Sequence, residues 1–236
     1  MLTAFDEQLN MVNIKDLSFE ERLSLLIDRE MLERDNRKLK RRLQQAKLKL
    51  NASIEDIDYS GSRGIDKSVI LSLASCEWIQ RSQNVIITGP TGAGKTYLAC
   101  TLSQKACREG FSASYQRMSR LLHDFAVGKG DGRYIKMLTQ LAKIDLLILD
   151  DWGLSVLTDS QRKDVFEIVE DRYNTRSTII VAQMPIEKWH EIIGDPTIAD
   201  AVLDRIIHNS HKIHLKGGSM RRKTNSSKVS TFEVKS

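Results

Sequence analysis

Gly89-Pro90-Thr91-Gly92-Ala93-Gly94-Lys95-Thr96 fits the pattern G-x-x-x-x-G-K-[ST] and stands between two runs of opposite character. Before it lies the β-branched run Asn84-Val85-Ile86-Ile87-Thr88, and after it Lys95 to Arg108 has helical composition, with Gly110 as a stop. The glycines let successive backbone N–H groups turn inward around phosphate oxygens, a nest that a side chain at Cβ would block. The helix that follows turns its positive dipole end toward the same charge. In this pattern Lys95 reaches the β- and γ-phosphates and the Thr96 hydroxyl ligates Mg²⁺, so ATP and Mg²⁺ are the expected ligands. The residues from Gly89 to Thr96 are all candidate nucleotide-binding positions.

Working outward, Ile144 to Leu149 is a continuous apolar run, as expected of a strand buried on both faces. It ends in Asp150-Asp151. Asp150 is expected to hold the water shell of Mg²⁺ opposite Thr96, and Asp151 to polarise the attacking water as a general base. Ser112 to Gln116 reads as a weak strand, Ser119 to Val127 and Tyr134 to Leu141 as helices, and Asp159 to Tyr173 as a helix. Ser177 to Ala182 reads as a second buried strand, Ile198 to Ile207 as a helix, and His211 to Leu215 as a short last strand. Apolar strands alternating with helices predict a parallel sheet with helices on both faces.

Toward the N-terminus, Ser18-Phe19-Glu20-Glu21 has the capping-box pattern, and apolar residues then recur at helical spacing to Leu50. Asn51 to Gly64 loses that periodicity and reads as a linker. The expected division is a helical N-terminal module with its linker over 1–62 and the main domain over 63–236.

With 41% hydrophobic and 28% charged residues the chain reads as globular, and its longest apolar runs are strand-sized, which excludes a membrane span. Residues 1–10 carry Asp6 and Glu7 without a basic cluster, unlike a signal peptide. Three cysteines without metal-ligand spacing suit a reducing compartment, so a cytoplasmic location is expected. The net charge of +5 is unevenly spread. Arg37 to Lys49, with Arg37, Lys38, Arg41 and Arg42, has no acidic residue, and neither does Arg205 to Phe232. Such local surplus points to a polyanion, most naturally nucleic acid, while a solvated helix face or a tail is the alternative.

Several strings go beyond a generic phosphate loop. Gly-Pro-Thr-Gly-Ala-Gly-Lys-Thr, then Leu-Asp-Asp-Trp-Gly at 149–153 and Glu-Asp-Arg-Tyr at 170–173, resemble the IstB family of insertion-sequence ATP-binding helpers. So do Lys-Trp-His-Glu-Ile-Ile-Gly-Asp-Pro-Thr at 188–197 and Ala-Val-Leu-Asp-Arg at 201–205. The likeness runs from about Phe19 to Arg222, and its wider relatives are the DnaC-like helicase loaders and the initiator branch of the AAA+ ATPases. It implies an AAA+ parallel sheet with a small all-α N-terminal module. Only residues 216–236 follow the last expected strand, so the usual helical lid is expected to be absent or vestigial.

The resemblance also implies roles. Gln183 occupies the sensor-I position, where Asn is more frequent. Arg205 matches the arginine finger that completes a neighbour's site, and Arg221 or Arg222 could serve as a second sensor. Asp151 departs from the usual Glu by one methylene, which keeps a carboxylate but can misplace the base and slow hydrolysis. In initiator-type relatives the stretch after the second strand lines a DNA-tracking pore. Here it holds Arg117, Arg120, Lys129, Arg133 and Lys136, with Gly128, Gly130 and Gly132 suggesting a mobile turn. The implied protein is an ATPase that forms a ring or helical oligomer on sequence-tolerant duplex DNA, bends it, and delivers it to an IstA-type transposase. A helicase loader acting on single-stranded DNA is the second reading. A small-molecule kinase is disfavoured, because the basic stretches and Arg205 would have no purpose in one.

Overall fold

The computed structural model describes residues 2–10, 16–59 and 64–217 and divides into two compact units, residues 1–44 and 45–236. In the first unit α1 (Leu2–Leu9) is followed by α2 (Phe19–Ala46), whose last residues pass into the second. The capping box forms as the sequence predicts: Glu21 N–H donates to Ser18 Oγ at 3.2 Å, and Ser18 N–H donates to a Glu21 carboxylate oxygen at 2.8 Å. Gln8 of α1 donates to the Arg22 carbonyl of α2 at 2.8 Å.

The second unit is a parallel sheet wrapped by helices. In chain order it contains α3 (Lys67–Ala74), α4 (Glu77–Gln80), β1 (Asn84–Thr88), α5 (Lys95–Arg108), β2 (Ala113–Arg117), α6 (Met118–Asp131) and α7 (Tyr134–Lys143). Then follow β3 (Leu146–Trp152), α8 (Asp159–Arg172), β4 (Ser177–Ala182), α9 (Trp189–Ile193), α10 (Pro196–Ile207) and β5 (Ser210–His214). The strand order is β2-β3-β4-β1-β5, every pairing parallel. β1 and β3, the strands leading into the glycine loop and into Asp150, are therefore separated only by β4. Val85 to Ile87, Leu146 to Leu149 and all of β4 are buried, which is why these strands read as unbroken apolar runs.

Three local differences from the sequence expectations have physical causes. β3 continues past Leu149 to Trp152, through a register irregularity against β4 at Asp150 and Asp151. α6 runs through Gly128 and Gly130 instead of breaking there, and Gly132 caps it in the left-handed conformation. A Cβ on Gly128 would stand 2.9 Å from Met137 Sδ and 3.3 Å from Tyr134 N, so close packing of α6 on α7 favours a helical glycine despite its low propensity. Residues 51–59, read as linker, pack on the second unit: Ala52 and Ile57 are buried and Glu55 pairs with Arg108 at 2.7 Å.

Among the described residues no helix follows β5 to form a lid, and none is long and apolar enough to cross a membrane. Arg172, from the Glu-Asp-Arg-Tyr string, is the most deeply buried cation of the core. Its guanidinium donates to the Leu141, Ile144 and Ser177 carbonyls and to Thr178 Oγ1, so it joins α7, α8 and β4. Burial pulls its pKa down to about 9. Asp195 caps α10 by accepting from Ile198 N–H at 2.9 Å, with Pro196 at the first helical position.

Candidate nucleotide-binding site

The loop from Gly89 to Gly94 leaves β1 and enters α5. Gly89, Gly92 and Gly94 all have positive φ, at 143°, 83° and 97°. Two of them lack a side chain for different reasons. A Cβ on Gly89 would lie 2.3 Å from the Leu215 carbonyl oxygen, because the chain leaving β5 passes against the loop and Leu215 N–H donates to Thr88 O at 2.8 Å. A Cβ on Gly94 would meet nothing within 4 Å, so that glycine keeps open the space in front of the α5 N-terminus.

Lys95 is buried, and its ammonium donates to the Gly89 and Pro90 carbonyls at 2.8 and 2.9 Å. Burial lowers its pKa below the ordinary lysine value, while Asp150 and Asp151 act in the opposite direction. Thr96 Oγ1 donates to Asp150 Oδ2 at 3.0 Å across the gap between α5 and β3. Asp150 is itself buried and collects further donors: Tyr115 OH on β2 at 2.5 Å from Oδ2, and the Asp151 N–H at 2.9 Å from Oδ1. Lys49 Nζ stands 3.7 Å from Oδ2. Asp151 has φ of 62°, so the irregularity in β3 turns this residue out of the ladder, and Arg117 Nε donates to its carboxylate at 2.8 Å. Gln183, one residue beyond β4, accepts through its amide oxygen from Thr91 Oγ1 at 2.8 Å.

Asp150, Asp151, Gln183, Thr96 and the glycine loop, separate in sequence, thus converge at one end of the sheet. Among the described residues no three or more His, Cys, Asp and Glu cluster as a metal site. A hydroxyl and a carboxylate are the hard oxygen donors that suit Mg²⁺ when the remaining ligands are phosphate and water. The residues present fit both Mg²⁺ and a triphosphate.

Arg205 lies elsewhere. Its guanidinium pairs with Glu170, donates to Ala201 O at 2.8 Å, and sits over the Phe166 and Tyr173 rings at 5.3 and 5.7 Å. With Asn84 and Thr178 it lines a small cavity of about 20 Å³ at the start of β1 and β4, the opposite end from the loop. Arg221 and Arg222 lie outside the described residues.

The basic candidates differ in their surroundings. Lys129 pairs at 2.7 Å with Asp164, which is 3% exposed, and donates to Ser160 Oγ at 2.8 Å. Arg133 pairs with Asp131 at 2.5 Å, and Arg120 stands 4.0 Å from Asp124. Arg117 is held by Asp151, whereas Lys136 is exposed. On α2, Arg37 and Lys38 pair with Glu30 and Asp35 at 3.4 and 3.1 Å, Arg41 is exposed, and Arg42 is half-buried.

Two residues of the site carry no signal of their own in the sequence. Tyr115 reads only as part of a weak strand, and Lys49 as the end of a charge run; pairing in space brings them to Asp150. Trp189, from the 188–197 string, is fully buried with its ring 5.4 Å from that of Trp152, so that string builds the wall behind β3.

Solved structures share a similar fold. The DnaC helicase loader superposes with a TM-score of 0.61 at 20% identity, over 72% of this chain and 100% of that one. The replication initiator DnaA bound to AMPPCP and single-stranded DNA gives 0.59 at 16% identity, over 80% of this chain and 57% of that one. These likenesses establish the AAA+ fold. A Sinorhizobium fredii protein, named as an ATP-binding protein of an insertion sequence, is 49% identical over 94% of this chain and 91% of its own length. A Pseudomonas aeruginosa protein, named for the same role in the insertion sequence IS21, is 34% identical over 89% and 79%. The family described as IstB-like ATP binding protein matches residues 1–228, and with a glycine loop, a Thr96–Asp150 pair and this sheet order, the chain belongs to that family.

Proposed function

We propose that the chain is an ATP-hydrolysing helper of transposition that assembles on duplex DNA, bends it, and presents it to an IstA-type transposase. The observation that carries the reading is Thr96 Oγ1 at 3.0 Å from Asp150 Oδ2, beside a loop whose Gly94 faces open space. When bound, Mg²⁺ neutralises charge on the β- and γ-phosphates. The chain's own residues bind and orient. The loop amides and the α5 N-terminus hold the phosphates, and the Lys95 ammonium moves from its carbonyl partners to them. Gln183, already in contact with the loop through Thr91, orients the attacking water.

Asp151 takes the proton of that water after releasing Arg117. That release, and the carboxylate one methylene shorter than Glu, make turnover slow, which suits a switch. Because Arg205 sits at the far end of its own sheet, it serves the site of a neighbouring copy, leaving Glu170 to do so. Family membership and the basic residues of α2, α6 and α7 support the DNA step. Arg120, Arg133 and Lys136, with Arg37, Lys38, Arg41 and Arg42, contact phosphates without reading sequence. Arg133 does so by leaving Asp131, and Lys129 and Arg117 join them only by leaving Asp164 and Asp151.

The test is sedimentation and electron microscopy of the protein with duplex DNA and ATP, beside the Lys95→Ala variant. The expected result is ATP-dependent assembly on duplex DNA that the variant loses. Equal assembly by the variant overturns the switch, and a preference for single-stranded DNA of equal length favours a helicase loader.

A further inference from the structure

We propose that Tyr115 is a positioning residue for Asp150, its phenol fixing which carboxylate oxygen is turned toward the cation. The inference rests on the reading of this site as one for a metal–triphosphate.

β2 pairs with β3 so that Tyr115 stands opposite Ile148 and Arg117 opposite Asp150. The tyrosine ring is long enough to span the two-residue offset, roughly 6.6 Å of strand, and its hydroxyl reaches Asp150 Oδ2 at 2.5 Å. Asp150 is almost wholly buried, so each carboxylate oxygen needs a donor from the protein. Oδ1 takes the Asp151 N–H and Oδ2 the phenol. Thr96 Oγ1 approaches Oδ2 at 3.0 Å and Oδ1 at 3.3 Å.

These contacts differ in permanence. The Asp151 amide is backbone, but it sits in an irregular stretch of β3 with positive φ. The Thr96 hydroxyl must also present a lone pair to a metal. Tyr115, half-buried on the adjacent strand, donates to Asp150 at hydrogen-bond distance and has no metal to serve, whereas Lys49 Nζ stands farther off at 3.7 Å. Without the hydroxyl, the carboxylate keeps its place in the strand but loses the contact that sets its rotation.

The experiment compares wild type with Tyr115→Phe, which keeps the ring and removes one oxygen. Calorimetry measures ATP affinity once with Mg²⁺ and once with EDTA. Electron paramagnetic resonance measures Mn²⁺ affinity in the presence of ATP, and thermal unfolding is followed without nucleotide. The variant is expected to lose on the order of tenfold in metal-dependent affinity. Its affinity in EDTA stays at the wild-type value, and its melting temperature falls by no more than a few degrees, as for one lost hydrogen bond. A loss equal in Mg²⁺ and EDTA, or an unchanged metal dependence, overturns the inference while the nucleotide site stands. A wild type that takes up no Mg·ATP removes both.

Discussion

The nucleotide end of the sheet and the α6–α7 excursion are both rich in charge, yet they use it in opposite ways. At the sheet end, residues drawn from 89–96, 150–151 and 183 converge on one another across strand ends. In the excursion, cations that look free in the sequence are taken up by local acids, Lys129 by Asp164 and Arg133 by Asp131. The glycine-loop pattern fixes a geometry, because glycine conformations and a strand–loop–helix path leave few alternatives. A run of lysines and arginines fixes only a composition. Which of them faces a polyanion depends on which acids fold against them. Lys129 illustrates this, with its ammonium also 4.9 Å from the Tyr134 ring centroid.

The sharpest way to break the contrast is at the glycines. Gly89→Ala drives a Cβ to 2.3 Å from the Leu215 carbonyl oxygen, a backbone atom that cannot yield without moving β5. Thermal unfolding should show a loss of about 3 kcal/mol or more, or no folded protein. Gly94→Ala meets open space and should cost only about 1–2 kcal/mol for its φ, while calorimetry finds ATP binding lost. Equal destabilisation by the two would mean that the loop is held by its conformation alone.

A smaller effect is expected in the excursion. Lys129→Ala removes the cation from the buried Asp164, which keeps Tyr134 OH at 2.8 Å. Stability should fall by about 1–2 kcal/mol, visible as a lower melting temperature. Lys136→Ala, at an exposed position, should leave stability unchanged and lower duplex affinity a few-fold, with a salt slope reduced by about 1. If Lys129→Ala instead behaves like Lys136→Ala, the ion pair with Asp164 is dispensable and the excursion is a uniform basic surface.

Much of the fold was legible in particular residues. α5 over Lys95–Arg108 and β4 over Ser177–Ala182 begin and end where composition predicts, because a glycine loop and unbroken apolar runs mark them. Glycines in α6 misled, since their propensity counts against helix while close packing on α7 favours them. In the site, Thr96 and Asp150 were legible because their types and spacing carry the chemistry. Tyr115 was not, because nothing local distinguishes a tyrosine that packs from one that donates to a carboxylate two residues along the next strand. Arg172 was visible as part of a string, but its burial among the Leu141, Ile144 and Ser177 carbonyls was not.

The sequence by itself determined the phosphate loop, the paired carboxylates that close the apolar run of the third strand, the alternation of strands and helices, and the family. Each of these is a local pattern whose physics acts over a few residues. Only the tertiary structure decided which charges remain available, which side chains orient Asp150, and where Arg205 lies relative to its own loop. Those depend on strand order and on burial between residues far apart in the chain, and no local spacing encodes either.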